Sequence, residues 1–397
     1  MGKLRVGLLF GGRSVEHDVS IVSATSILNA LDRSRYEVSL IGVDPEGRWH
    51  LSDSPAEITA GKLKQLSAVL RETGVFLPAM PGETRLRPSD VDSGAKKNML
   101  GAAARLDVVF PIIHGRGGED GSLQGLLELA DVPYVGSGVL SSALQMDKEV
   151  AKRLLSAAGL PVTPWVGFSA SALSRMGSRG AAERAEAELG LPAFAKPANS
   201  GSSVGISKAE TLAELASAIA NAQRYDRKVL VEAAVDAREI EVAVLGNDEP
   251  EASVCGEIRS HRKFYDYEAK YHDDSTELII PADLEPAESE QLRAMAIAAF
   301  RALDGEGMAR VDFLFDRNTQ RAYVNELNSL PGFTSVSMYP KLWEASGLPY
   351  PQLLDRLIEL ALERHDRRSK LETHAPPPLS GGSAVGSPKQ VESAKQA

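Results

Sequence analysis

The chain reads as an α/β protein, with a parallel-sheet domain at the N-terminus followed by a longer α+β portion. Three observations carry that reading. Short, continuous apolar runs alternate with helical spacing through the first third, the segments lose that regularity after about residue 138, and paired strands joined by polar turns occupy the last third. Strands apolar on both faces belong to parallel sheets covered by helices, whereas consecutive strands joined by tight turns pair antiparallel.

The elements follow in order. Leu4–Phe10 (LRVGLLF) is a buried-strand run ending in Gly11–Gly12, and Ile21, Ala24, Leu28 and Leu31 have the spacing of an amphipathic helix behind it. Tyr36–Asp44 predicts a second strand, Leu106–Gly115 a third and Val132–Ser137 a fourth. Residues 50–100 are polar and weakly periodic, as an insertion of short strands and turns would be. Asp147 is placed to cap a helix with Val150, Leu154 and Ala158 on one face, ended by Gly159 and Pro161. The strand-like LPAFAKPA, a Gly/Ser loop, a helix around Thr211–Gln223 and the strand KVLVEAAV come next. Two strands, EIEVAVLG and EASVCGEI, then lead into a polar loop at Arg259–Thr276, a helix at Glu288–Leu303, the hairpin MARVDFLFD…RAYVNELN and a helix near Gln352–Arg364.

Domain boundaries are therefore expected near residues 138 and 231, giving units 1–137, 138–231 and 232–367. Residues 368–397 are rich in Pro, Ser, Gly and Lys without apolar periodicity. Such a segment cannot offset its ordering entropy, so a disordered tail is expected, and truncation after His365 should change little.

Composition limits the function. With 397 residues, 43% hydrophobic and 25% charged, the chain can bury several cores. A formal charge of −10 argues against nucleic acid or an anionic membrane as the main partner. Cys255 is the single cysteine, so no intrachain disulfide or thiolate metal cluster can form. The N-terminus lacks a secretory pattern and no run spans a bilayer; a cytoplasmic protein is expected.

Several stretches carry chemistry. In NELNSLPGFTS, Glu326 and Asn328 are two apart on a strand and face the same way. A hairpin centred near Thr319 would set Asp312 opposite Glu326. Two carboxylates and an amide oxygen suit a hard cation such as Mg²⁺, although a solvated face of an edge hairpin would use the same residues. The loop Asn199–Gly205 could turn backbone N–H groups and the hydroxyls of Ser202 and Ser203 toward an anion beside Lys196, or be a flexible turn. His114 ends an apolar strand where open α/β sheets bind ligands, and structural histidines also occur there. Glu16 follows the first strand similarly, as a carboxylate favoured near a helix N-terminus or as a ligand for an amine. Phe264–Asp273 concentrates aromatics, acids and Lys270, in the manner of an active-site lid or of a solvated loop.

Taken together, GGRSVEHDVS, HGRGGEDGS, GSGVLSSALQMDK, AKPANSGSSVG, VLVE…REIEVAVLG, FYDYEAKY, ARVDFLF and NELNSLPGFTSVSMYP resemble the D-alanine–D-alanine ligases, members of the ATP-grasp family, from about residue 4 to 365. The resemblance implies an N-terminal parallel-sheet domain followed by a two-domain ATP-grasp. It implies ATP-dependent joining of two D-alanines through a D-alanyl phosphate to supply a peptidoglycan precursor. ATP is then a substrate, two Mg²⁺ ions are the metals with Mn²⁺ as an alternative, and a homodimer is the expected assembly. Asp312, Glu326 and Asn328 resemble the metal ligands. Lys148, Lys196 and Lys270 resemble the phosphate-contacting lysines, with Ser203 and Phe264 also at the ATP site. Glu232, Ala233 and Val235 fall in the adenine hinge, and Glu239 resembles the ribose ligand. Glu16, Ser202 and Tyr271 resemble the set around the first D-alanine, and His114 a further contact to it. Arg310 and the N–H of Gly332 resemble the oxyanion stabilisers, and Ser337 and Met338 the site for the second carboxylate.

The hinge departs from the family in carrying alanines at 233 and 234, which removes side-chain packing on the base and implies weaker ATP binding. The nearest rival products are D-alanyl-D-lactate and D-alanyl-D-serine; Tyr271 in the EAKY lid argues for the dipeptide of D-alanine. An inactive ATP-binding module on the same fold would not need Glu16, Ser202, Arg310, Asp312, Glu326 and Asn328 together.

Overall fold

The computed structural model describes residues 2–51, 73–89, 105–201, 204–259, 277–334 and 336–373. The first sheet has the order β5-β4-β3-β2-β1-β6, formed by β1 (Leu4–Gly11), β2 (Tyr36–Val43), β3 (Trp49–Leu51), β4 (Thr73–Phe76), β5 (Arg87–Pro88) and β6 (Val108–Pro111). Only β2, β1 and β6 pair parallel; β3, β4 and β5 extend the sheet antiparallel. The fourth strand expected at Val132–Ser137 is reduced to one parallel bridge, Val109 with Tyr134. Pro133 offers a carbonyl to Val109 but has no N–H to continue a ladder.

Because β1 lies between β2 and β6, the loops after β1 and β6 emerge side by side at the carboxyl end of the strands, where open α/β sheets place ligands. Helix α1 (His17–Ala30) follows β1 and buries Ile21, Ala24 and Leu28 as their spacing predicted. Helices α2 (Ser122–Leu129) and α3 (Val139–Met146) follow β6.

The second sheet, in the order β7-β10-β8-β9, is built from β7 (Trp165–Phe168), β8 (Ala193–Pro197), β9 (Ser207–Ala209) and β10 (Val229–Ala233), all antiparallel. Helix α4 (Lys148–Ala157) precedes it, with Asp147 accepting from the Val150 N–H as expected of its cap. Its buried face is not the predicted one. Ala151 and Leu155 are buried with Lys148 and Lys152, because both lysine heads meet carboxylates. Helices α5 (Ala170–Leu189) and α6 (Leu212–Ala222) pack on the sheet, Thr211 capping the latter.

The third sheet, β13-β12-β11-β14-β15, is antiparallel and comprises β11 (Ala237–Gly246), β12 (Glu251–Arg259), β13 (Glu277–Ile279), β14 (Gly307–Asp316) and β15 (Ala322–Asn328). Helix α7 (Pro286–Ala302) covers one face. Helices α8 (Met338–Ala345) and α9 (Tyr350–Ser369) fill the space between this sheet and the first, in a core shared by Phe10, Phe110, Met308, Phe333, Tyr339 and Leu357. Arg364 is buried in that contact, donating to the carbonyls of Gly136 and Tyr134 with its guanidinium over the Tyr134 ring.

Helix α9 continues past the expected start of the tail, to Ser369. Arg367 pairs with Glu306 and Asp248, and Arg368 with Glu128. Truncation after Thr373 is therefore expected to leave thermal unfolding unchanged. Truncation after His365 is expected to lower stability by about 1 kcal/mol, the scale of exposed ion pairs, in parallel melts of the two shortened chains.

Candidate active site

Three strands bring the chemistry-bearing side chains together. Glu241 on β11 is in register with Asp312 on β14, which is in register with Glu326 on β15, so three carboxylates form a row across the sheet. Arg310 and Asn328, each two residues along its strand, form the next row on the same face. The predicted facing of Asp312 and Glu326 is present. Glu241, not singled out in the sequence, completes the row because β11 pairs with β14 across some seventy residues of chain, a register that no local pattern reveals.

Arg310 sits between two of these acids. Its Nε and Nη2 each lie 2.7 Å from an oxygen of Asp312, a bidentate fork, and Nε is 3.0 Å from Glu241. Burial alone would lower its pKa, but Asp312 and Glu241 outweigh it and hold the guanidinium firmly charged. Asn328 donates its amide to Asp312 Oδ2 at 2.9 Å. Lys148, the first residue of α4, reaches Glu326 at 3.1 Å and donates to the Ser200 carbonyl at 2.9 Å. Its burial favours the neutral amine, and Glu326 reverses that.

One cavity is lined by Glu16, His114, Lys148, Arg310, Glu326, Asn328, Gly332, Ser337 and Met338, drawn from the loops of the first sheet and from the third sheet with its following loop. Glu16 is buried at the head of α1, where its Oε2 lies 2.7 Å from where a Cβ on Gly115 would stand and 2.9 Å from one on Gly201. Only glycines leave room for this carboxylate, and Gly115 also has a φ of +75°. His114 is buried, with Nδ1 3.0 Å from the Leu330 carbonyl oxygen and Nε2 3.2 Å from Ser23 Oγ; burial lowers its pKa.

Gly332 follows β15 in a loop anchored by Phe333, which meets Phe110 edge-on at 6.1 Å. A Cβ on Gly332 would stand 2.7 Å from Ser337 Oγ, so a side chain there would push the Ser337 hydroxyl from its place. Ser337 is the N-cap of α8 and makes no side-chain cap; its hydroxyl instead accepts from the Thr334 N–H at 3.0 Å. The helix N-terminus, with Met338 as its first residue, thus opens onto the cavity and favours an anion.

A second cluster lies between α4 and the second sheet. Glu232 is buried and held by Lys196 at 2.9 Å and by Lys152 at 3.3 Å, with Thr163 donating to it at 3.2 Å. Burial would raise the Glu232 pKa, but the two lysines lower it. Lys152, also buried, is a residue the sequence reading missed; the ends of Lys152 and Glu232 meet only in the fold. Lys152→Met is expected to cost about 3 kcal/mol, toward the lower end for breaking a buried pair because Lys196 remains, as a denaturant titration would register. The hinge N–H groups of Ala233 and Ala234 donate within the protein, to Pro164 and Pro192 carbonyls. Val235 follows them, and Glu239 lies two residues before Glu241 on β11. Ser202, Ser203, Phe264, Lys270 and Tyr271 lie outside the described residues.

The donors fit a hard cation in chemistry. Asp312, Glu326 and Asn328 supply oxygen on one face, few enough to leave room for water and phosphate oxygens, as Mg²⁺ prefers. Among the described residues no group of three or more His, Cys, Asp or Glu is arranged to hold a metal by itself. Arg310 occupies the space between Glu241 and Asp312, which keeps the carboxylate row from closing on an ion alone.

An ATP-grasp ligase is the class that this fold and cavity define. The family model for the N-terminal part of the D-ala D-ala ligases matches residues 5–137, and that for the C-terminal part matches residues 154–359. The chain is 51% identical over 375 residues to "D-alanine--D-alanine ligase A" of Chromobacterium violaceum, covering 92% of this chain and 96% of the relative. With the protein of the same name from Escherichia coli K12 it shares 46% identity, covering 94% and 100%. Among solved structures, the D-alanine-D-alanine ligase of Coxiella burnetii superposes with a TM-score of 0.78 at 39% identity, covering 93% and 97%. The VanG D-Ala:D-Ser ligase of Enterococcus faecalis superposes at 0.77 with 32% identity, covering 91% and 100%. The chain belongs to the D-ala D-ala ligase family.

Proposed function

We propose that the chain joins two molecules of D-alanine to D-alanyl-D-alanine at the expense of ATP, through a D-alanyl phosphate. The observation that carries the reading is a cavity in which a buried carboxylate, a fixed guanidinium and an open helix N-terminus converge. Glu16 suits the ammonium of the first D-alanine, with His114 beside it. The carboxylate of that D-alanine attacks the γ-phosphate of ATP, forming the acyl phosphate and displacing ADP. Lys148 and Lys196 offset the charge on the transferring group. Asp312, Glu326 and Asn328 are the residues that would hold Mg²⁺, which when bound neutralises charge on the phosphates. The amine of a second D-alanine, its carboxylate at the N-terminus of α8 by Ser337 and Met338, then attacks the acyl carbon. Arg310 and the Gly332 N–H stabilise the oxyanion, and phosphate leaves. The base of ATP falls to the hinge at Glu232–Val235 and the ribose to Glu239. The Ala233 and Ala234 N–H groups are engaged within the protein, so contact with the base falls to other groups of the hinge.

Three separate sheets support a division into 1–137, 138–231 and 232–367, but the second boundary falls inside β10 (Val229–Ala233), and the third sheet begins at Ala237. No helix among the described residues is long and apolar enough to cross a membrane, in keeping with a cytoplasmic enzyme. A homodimer and the use of Mg²⁺ or Mn²⁺ remain part of the proposal.

Because a D-Ala:D-Ser ligase shares the fold, the overall architecture does not choose the second substrate; the relatives at 46–51% identity, named for D-alanine alone, support the dipeptide. Competition decides it: MgATP with equimolar D-alanine, D-serine and D-lactate is expected to give D-alanyl-D-alanine as the main product by mass. A predominance of the serine or lactate product would overturn the assignment.

A further inference from the structure

Glu119 lies in the loop after β6 and lines the same cavity, yet no step above uses it. Its two oxygens accept from backbone donors on different parts of the molecule. Oε2 takes the Gly115 N–H at 2.6 Å, within its own loop, and Oε1 takes the Leu330 N–H at 3.1 Å, just past the end of β15. His114 holds the other backbone group of Leu330, its carbonyl, at 3.0 Å. Ser23 ties the next turn, accepting from the Phe333 N–H at 3.4 Å. The loop that carries Gly332 is thus fastened on both sides of Pro331 and Gly332, by the loop after β6 and by α1.

We propose that Glu119 is a positioning residue for ligation: it clamps the Leu330–Thr334 loop onto the loop after β6, and so fixes the Gly332 N–H relative to Glu16. The inference rests on the ligase reading for the roles of Gly332 and Glu16. The clamp itself rests on the hydrogen bonds alone.

A carboxylate is suited to the task. It can accept two N–H bonds at once from donors that diverge, whereas an amide of the same shape has one acceptor and presents an N–H₂ to the second donor. Charge gives the clamp a dependence on ligand. Burial, and then the neighbouring Glu16 carboxylate, push the Glu119 carboxyl up to about 8, against the two N–H donors and Lys148. An ammonium placed on Glu16 offsets that repulsion, which favours the ionised, better-accepting form and tightens the clamp when substrate is present. The sign for stability follows. Glu119 binds its proton more tightly folded than unfolded, so its contribution to stability falls as pH rises from about 4 toward about 8.

The test compares the native protein with Glu119→Gln by steady-state kinetics and by hydrogen exchange without ligand at a pH above about 8, where Glu119 is ionised. The expected result is a fall of about 10²-fold in kcat, with the KM for ATP within about twofold, since a loop displaced by an ångström misaligns the reacting groups. Exchange at the Gly115, Leu330 and Phe333 amides should accelerate while the sheets stay protected. Native kcat with a lowered melting temperature, or native exchange in that loop, would overturn the proposal. If Glu119→Gln fails to fold, the native protein decides it. Its Gly115 and Leu330 amides, both bonded to Glu119, must then be protected without ligand, and exchange of both at the intrinsic rate overturns the clamp. A native protein that does not ligate D-alanine defeats the functional reading instead, and leaves the exchange comparison to judge the clamp.

Discussion

Glu326→Ala is expected to lower kcat by about 10³-fold or more, measured as phosphate release from MgATP and D-alanine. Two effects combine at this position. Glu326 stands beside Asp312 in the carboxylate row and is one of the three proposed oxygen donors to the cation. It is also the partner of Lys148, whose buried ammonium it keeps charged at 3.1 Å. Removing it therefore disturbs a metal donor and a phosphate-facing lysine together. The fold should survive, since Glu326 is partly exposed and its strand is held by the pairing with β14. Glu326→Gln separates the two effects: the amide oxygen still accepts from Lys148 but is a weaker ligand for a hard cation. A kcat for the alanine variant within tenfold of native would show that Glu326 serves the sheet rather than the phosphates.

Arg310→Lys is expected to lower kcat by about 10²–10³-fold, the usual cost of losing an oxyanion donor, with the KM for ATP little changed. The guanidinium forks onto both oxygens of Asp312 at 2.7 Å and reaches Glu241 at 3.0 Å, so its position over the cavity is fixed before substrate arrives. A lysine carries the charge but has no planar fork and would bind one acid at a time. Arg310→Met goes further. It leaves Glu241 and Asp312 facing each other without a counter-charge, which should destabilise the protein by about 3–5 kcal/mol in denaturant titrations. If Arg310→Lys retained full kcat while Arg310→Met unfolded, the arginine would be a structural counter-ion and the oxyanion role would fail.

What could be read from the sequence was mostly local. The caps at Asp147 and Thr211, the apolar face of α1 and the hairpin that faces Asp312 with Glu326 depend on residues within a few turns of one another. Helix α5 escaped because its buried face is mainly alanine, at Ala181, Ala182 and Ala185, a weak contrast against Arg and Glu neighbours. The face of α4 was misassigned because apolarity was taken as the mark of burial. Lys152 is buried by a carboxylate that lies eighty residues later in the chain. Glu241 and Glu119 were missed for the same reason: one acts through a strand register and the other through the backbone of a distant loop. Resemblance to a family supplied most of the site roles, and the fold brings nine of those residues to one cavity.

In the proposed reaction one D-alanine is activated through its carboxylate by ATP and captured by the amine of another. The most direct measurement uses D-alanine labelled with ¹⁸O in both carboxylate oxygens, with MgATP, and follows the masses of phosphate and peptide. One ¹⁸O is expected in the phosphate for every D-alanyl-D-alanine formed, because the attacking oxygen leaves with phosphorus when the amine displaces it. Unlabelled phosphate, or labelled phosphate without dipeptide, would contradict it: the first means that water rather than the carboxylate takes the phosphoryl group, the second that the acyl phosphate is lost to hydrolysis and no ligation occurs.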